Sequence, residues 1–150
     1  MRPDLDSYFM SMAKLVSTRG TCPRRRVGCV LINKRGHVIA TGYNGVASGL
    51  VHCTESPCPG ANLSSGCGLD KCQALHAEQN ALLQCRDVYE IDTAYITASP
   101  CITCTKLFLN SSCNRIVFTE EYPHAEASFL WQFAGRQWDK FEGNYINIGE

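Results

Sequence analysis

Between residues 3 and 20 the apolar side chains of Leu5, Tyr8, Phe9, Met12, Ala13 and Val16 recur every three to four positions, with Ser7, Ser11 and Lys14 between them. That period predicts an amphipathic helix, opened by Pro3 and closed by Gly20. Val27 to Ile32 and Val38 to Tyr43 are apolar runs joined by Asn33-Lys34-Arg35-Gly36, the pattern of an antiparallel hairpin. From about 46 to 72 no period is discernible and Gly, Ser, Pro and Cys dominate. This is a loop insertion, unusually long for a compact domain unless something such as a metal organises it. Leu75 to Cys85 returns to a helical pattern, Thr93 to Thr97 reads as a strand, and a second helix begins at the cysteines that follow. Arg115 to Phe118 reads as a buried strand, His124 to Ala134 as a helix ended by Gly135, and Gln137 to Phe141 as an edge strand. Strands alternating with helices after an opening hairpin predict an α/β fold, a mixed sheet covered on both faces, in one domain over 1–150.

A chain of 150 residues is long enough to bury about 70% of its unfolded surface without disulfide staples. Its 14 basic and 14 acidic residues cancel, which removes the basic field that holds long nucleic acid and favours a small substrate. No apolar run is long enough to span a membrane, and the first helix is amphipathic rather than a signal-peptide core. Ten cysteines in such a chain suggest a reducing compartment, the cytoplasm, where thiols serve metals or cores.

The chemistry concentrates in two segments, His76-Ala77-Glu78 and Pro100-Cys101-Ile102-Thr103-Cys104. His76, Cys101 and Cys104 supply three tetrahedral positions for Zn2+, leaving the fourth for a water whose pKa falls toward about 7. Glu78 lies two residues past His76, about 200° round a helix, so it points away from the ligand and reads as a proton shuttle. The order H-x-E then P-C-x-x-C is the known pattern of zinc nucleobase deaminases. A redox dithiol has no need of His76 or Glu78, and a purely structural zinc has no need of an unliganded carboxylate. Cysteines at a helix start following a strand are also held ionised by the helix N-terminus.

Together with Val27-Gly28-Cys29-Val30, Gly42-Tyr43-Asn44-Gly45, His76 to Leu82, Ser99-Pro100-Cys101 with Cys104, and Arg115 to Phe118, these segments resemble the deoxycytidylate (dCMP) deaminase family within the cytidine deaminase fold. The resemblance implies a three-layer α/β/α sandwich with a mixed five-stranded sheet. It implies hydrolysis of dCMP to dUMP with release of ammonia, supplying dUMP for thymidylate synthesis. It also implies a homo-oligomer, often a hexamer, activated by dCTP with Mg2+ and inhibited by dTTP. Gly42, Tyr43, Asn44 and Gly45 would mark the allosteric nucleotide site, Asn44 would also approach the deoxyribose, and main chain at Ala98 and Ser99 would bond the pyrimidine.

Other readings stay open at several positions. Gly42 to Gly45 also fits a plain strand end and turn. Tyr122 fits either closure over the base or simple packing. Arg24-Arg25-Arg26 fits a solvated charge run, or a phosphate site for which Arg26 is the candidate. Cys29, Cys85 and Cys113 sit in apolar segments and read as core thiols. That leaves Cys22, Cys53, Cys58, Cys67 and Cys72 with His52 around the insertion, where some members of the family carry a second, structural zinc; Cys22, Cys53, Cys58 and Cys72 are the favoured ligands. The competing functions are another deaminase of the fold, acting on guanine, cytidine or tRNA adenosine, and a non-catalytic zinc-binding interaction module.

Overall fold

The computed structural model describes residues 2–22, 25–46, 74–123 and 125–149. Helix α1 (Leu5–Ser17) starts behind Asp4, whose Oδ1 accepts the Ser7 N–H at 2.7 Å and so satisfies a free donor of the first turn. Its apolar stripe, Phe9, Met10 and Ala13, is fully buried. The expected hairpin forms as β1 (Gly28–Ile32) and β2 (Val38–Tyr43), antiparallel, with a register irregularity at Leu31/Ile32. The turn between them is held by Asn33 Oδ1, which accepts from the N–H groups of Arg35 and His37, and by Gly36 at φ +79°.

The five-stranded sheet has the order β2-β1-β5-β6-β7, with β5 (Thr93–Ala98), β6 (Arg115–Glu120) and β7 (Gln137–Lys140). The β1 pairings are antiparallel and the β5/β6 and β6/β7 pairings are parallel, so the sheet is mixed, and β7 lies at its edge. Alternation of side chains assigns the two faces. Val30, Ile32, Tyr95 and Val117 pack on Phe9, Met10 and Ala13 of α1. Cys29, Leu31, Ala94, Ile96, Ile116 and Phe118 form the opposite core with α2 (Ala77–Gln84), α3 (Ile102–Leu109) and α4 (Ala125–Phe133) through Ala77, Ala81, Phe108 and Trp131. This is the expected three-layer sandwich. Among the described residues no helix is long and apolar enough to cross a membrane.

Three details depart from the pattern reading. Leu75 is not the first residue of α2: Gly45–Val46 (β3) pairs antiparallel with Ala74–Leu75 (β4), joining the two ends of the 47–73 segment. His76 is therefore the N-cap of α2 in extended conformation, and the helix begins at Ala77. Cys85, expected in the core, is the half-buried C-cap of the same helix, with its thiol donating to the Asp87 carbonyl at 3.4 Å. Cys29 and Cys113 are fully buried as expected.

Candidate active site

The N-termini of α2 and α3 meet at the C-terminal end of β5, and each places its site residues by capping. At α2, Gln79 Oε1 accepts the His76 N–H at 2.8 Å, fixing the turn on which the imidazole is carried. At α3, Cys101 is the N-cap: its Sγ accepts the Cys104 N–H at 3.4 Å and its carbonyl accepts both the N–H and the hydroxyl of Thr105 at 2.9 Å. Capping by sulfur puts Cys101 at the positive end of α3 and Cys104 one turn in, facing the same point.

His76 Nδ1 lies 3.3 Å from Cys104 Sγ and 3.5 Å from Cys101 Sγ, and the three ligand atoms all fall within 4.8 Å of one another. Bond lengths of about 2.0 Å to nitrogen and 2.3 Å to sulfur at tetrahedral angles put N and S ligands about 3.5 Å apart around zinc, so the spacing fits that ion. The hydrogen bond from the Cys104 thiol pulls Cys101 down to about 4, with His76 adding to it; the same bond and burial push Cys104 up. The two sulfurs face one point, and a cation bound there would favour loss of both thiol protons.

Glu78 sits in the first turn of α2, 5% exposed. Burial pushes its carboxyl up to about 7, against the lowering influence of His76 and of a hydrogen bond from Cys104. A carboxyl with that value accepts and returns protons near neutral pH. The structure brings together all four residues that the two motifs single out, His76, Glu78, Cys101 and Cys104.

The remaining expected residues fall into distinct roles. Ser99 is buried; its N–H is spent on the Glu120 carbonyl at 2.7 Å and its hydroxyl accepts the Tyr122 N–H at 2.8 Å. A base contact through the main chain of Ser99 would therefore fall to its carbonyl. Tyr122 is held beside Ser99 and its ring is covered by the Arg25 guanidinium, 4.7 Å from the ring centroid. Asn44 is buried and staples the segment before β1: its Oδ1 accepts the Val27 N–H at 2.9 Å and its Nδ2 donates to the Arg25 carbonyl at 2.7 Å. Gly42 lies against α2, where a Cβ would stand 2.4 Å from the Ala77 carbonyl oxygen and the Ala81 nitrogen, and the Tyr43 carbonyl accepts from Asn80 Nδ2 at 2.8 Å. Gly45 belongs to β3. In this structure the Gly42 to Gly45 motif thus packs and fastens the chain around α2. Arg26 is exposed, whereas Arg25 is partly buried. Cys22 is buried; Cys53, Cys58 and Cys72, like Arg24, His52 and Cys67, lie outside the described residues.

The family described as "Cytidine and deoxycytidylate deaminase zinc-binding region" matches residues 3–120. A deoxycytidylate deaminase of Schizosaccharomyces pombe is 43% identical over 91% of this chain, which spans 44% of that protein. The Mycobacterium phage D29 deoxycytidylate deaminase is 39% identical over 80% of this chain and 98% of its own. This chain thus spans less than half of the S. pombe relative and nearly all of the phage one. The dCMP deaminase of cyanophage S-TIM5, solved in complex with dCMP and dUMP, superposes with a TM-score of 0.74 at 26% identity, covering 94% of this chain and 99% of its own. The fold, the His-Cys-Cys cluster and these likenesses agree: the chain belongs to the cytidine and deoxycytidylate deaminase family, with its zinc-binding region.

Proposed function

We propose that this protein hydrolyses dCMP to dUMP and ammonia, with zinc held by His76, Cys101 and Cys104. The observation that carries the reading is Glu78, a buried carboxyl that stands beside a three-donor cluster. A closed structural site would have four protein ligands and no idle acid. When bound, zinc supplies Lewis-acid activation of water near neutral pH. Glu78 takes a proton from the attacking water and delivers it to pyrimidine N3 as a C4–O bond forms. It then carries the second proton to the exocyclic amino group, the C4–N bond breaks, and ammonia leaves. One carboxyl performs both transfers, which suits a group poised near 7. Tyr122 and the carbonyls at Ala98 and Ser99 form the wall against which the pyrimidine is oriented.

The same reading extends to regulation and assembly: a homo-oligomer, a hexamer, activated by dCTP with Mg2+, inhibited by dTTP, working in the cytoplasm to supply dUMP. The exposed pair Phe129 and Phe133, stacked at 5.9 Å, is the kind of surface such an assembly covers. A second, structural zinc on Cys22, Cys53, Cys58 and Cys72 would organise the insertion. The test is ammonia release from dCMP, dCTP, cytidine, guanine and adenosine by the purified protein. Turnover of dCMP far above the rest supports the assignment; preference for another substrate moves the protein elsewhere in the family. Sigmoidal dCMP kinetics made hyperbolic by dCTP with Mg2+ and steepened by dTTP support the regulatory part, and kinetics indifferent to both remove it.

A further inference from the structure

A helix ordinarily starts behind Ser, Thr, Asp or Asn, whose short side chain accepts a free N–H of the first turn, as Asp4 does for α1. The two helices that meet at the metal cluster depart from this together, because their N-caps are His76 and Cys101, both candidate ligands. Cys101 performs both tasks through one atom: its Sγ accepts the Cys104 N–H at 3.4 Å and still faces the cluster. At His76 the work is divided. The ring turns Nδ1 toward the two sulfurs, 3.3 Å and 3.5 Å away, and a different residue takes up the backbone.

That residue is Gln79. His76 is the whole connection between β4 and α2, since Leu75 ends the strand and Ala77 begins the helix. Its φ of −71° and ψ of 155° set the direction of the Cα–Cβ bond and hence aim the imidazole. Two bonds hold those angles. The His76 carbonyl accepts the Asn80 N–H at 3.0 Å, a ladder bond that any residue but proline at 80 would make. The His76 N–H is taken by Gln79 Oε1 at 2.8 Å, a bond that needs a side-chain acceptor of this length at this position. Gln79 is itself half-buried. The next side chain, Asn80, donates from Nδ2 to the Tyr43 carbonyl at 2.8 Å and fastens the same turn to the end of β2. Asn80 thus holds the turn to the sheet, and Gln79 holds the ligand to the turn.

We propose that Gln79 is a positioning residue for the metal: by holding the His76 backbone extended it keeps the imidazole beside the two sulfurs before an ion arrives, so that zinc binds a site already formed. Ordering a ligand costs free energy, which a preformed site does not draw from the binding of the ion. Without the Gln79 acceptor His76 turns about its N–Cα bond, and the ion must order the ring as it binds. The loss then falls on metal capture more than on the fold. The proposal rests on zinc at His76, Cys101 and Cys104 and is independent of which base is deaminated.

The test is chelator competition for zinc, starting from the zinc-loaded protein and its Gln79→Met, Gln79→Glu and Asp4→Ala variants, with Cys101→Ser identifying the step of the titration that belongs to this cluster. Methionine keeps the length and helix propensity of Gln79 without a comparable acceptor, and the zinc Kd rises about tenfold. Glutamate accepts the same N–H and brings the Kd back to within about threefold of the unaltered protein. Asp4→Ala removes an ordinary cap and lowers Tm by about 3 °C, with the zinc Kd unchanged. Titration with Co2+ gives a second readout: the visible absorption of the tetrahedral ion develops at about tenfold higher free metal in Gln79→Met and at the same concentration in Asp4→Ala. If Gln79→Met does not fold, Gln79→Ala carries the same comparison. A Kd for Gln79→Met within about twofold of the unaltered protein overturns the proposal. So does a Gln79→Glu protein that holds zinc no better than Gln79→Met, and so does an Asp4→Ala protein that loses zinc as readily, which would make the effect one of general stability. An unaltered protein that binds no zinc at this cluster overturns the metal reading and the proposal together.

Discussion

Gly42→Ala puts a single methyl between the sheet and the helix that carries Glu78. The added Cβ would stand 2.4 Å from both the Ala77 carbonyl oxygen and the Ala81 nitrogen, and 2.9 Å from Ala81 Cα. All three atoms are backbone, so no rotamer change relieves the contact. Restoring ordinary contact, about 3.4 Å, requires α2 to move away from β2 by about 1 Å. Overpacking of this kind costs about 3 kcal/mol, equivalent to a fall in Tm of about 9 °C in a chain of this size. The functional cost is separate. His76 caps α2 and Glu78 lies in its first turn, whereas Cys101 and Cys104 ride on α3, so the shift separates the imidazole and carboxyl from the thiols. A misplacement of about 1 Å lowers turnover by about 10²-fold. The assay is dCMP turnover well below the variant's Tm, with zinc content measured on the same sample. Gly36→Ala is the control: Gly36 has φ +79° and nothing near its missing Cβ, so the substitution costs about 1 kcal/mol in the left-handed region and leaves turnover intact. If Gly42→Ala keeps both its Tm and its turnover, the close packing of β2 on α2 does not set the geometry of the site.

Asp6 accepts a two-pronged bond from Arg115 at 2.9 Å, which holds its carboxyl below the ordinary 3.8. A depressed folded value gives stability that is present above 3.8 and is lost as pH falls through the folded value; Asp6→Asn should therefore cost about 1 kcal/mol at pH 7 and flatten the acid limb of the stability profile, read by denaturant melts from pH 2 to 7. Arg136 donates to the carbonyls of Phe108, Leu109, Ser111 and Cys113 at the C-terminal end of α3 and lies over Trp131. Arg136→Met should lower stability by about 2 kcal/mol, a fall in Tm of about 6 °C in a thermal melt. Metal analysis of protein never exposed to chelator should find two zinc ions per chain, the one at Cys101 and Cys104 needed for activity and the other for thermal stability; one ion per chain removes the second site.

Much of this was legible because the signals are local. Helical and alternating periods place α1, the hairpin and the strands, and His76, Glu78, Cys101 and Cys104 declare themselves by residue type and spacing. What the pattern cannot supply is pairing across the chain. Leu75 reads as the first apolar position of α2, yet it is drawn into a two-residue ladder with Gly45, which makes His76 a cap. Arg25 and Arg26 are equal as letters. The fold leaves Arg25 half-buried, its guanidinium against the Tyr122 ring and the Glu120 carboxylate, and leaves Arg26 exposed, a difference set by tertiary contacts alone. Gly42 to Gly45 reads as a nucleotide motif, but Gly42 is where the sheet meets α2 and Asn44 fastens the segment before β1.

Whether the proton travels through Glu78 is read most directly from dCMP turnover by Glu78→Gln, with zinc content and Tm determined on the same preparation. The amide keeps the shape and the buried position but can neither accept nor return the proton. Zinc content should be unchanged, the Tm no lower than that of the unaltered protein, and turnover reduced by about 10³-fold or more. A variant that keeps its zinc and more than about a tenth of the turnover would show that the proton does not travel through Glu78.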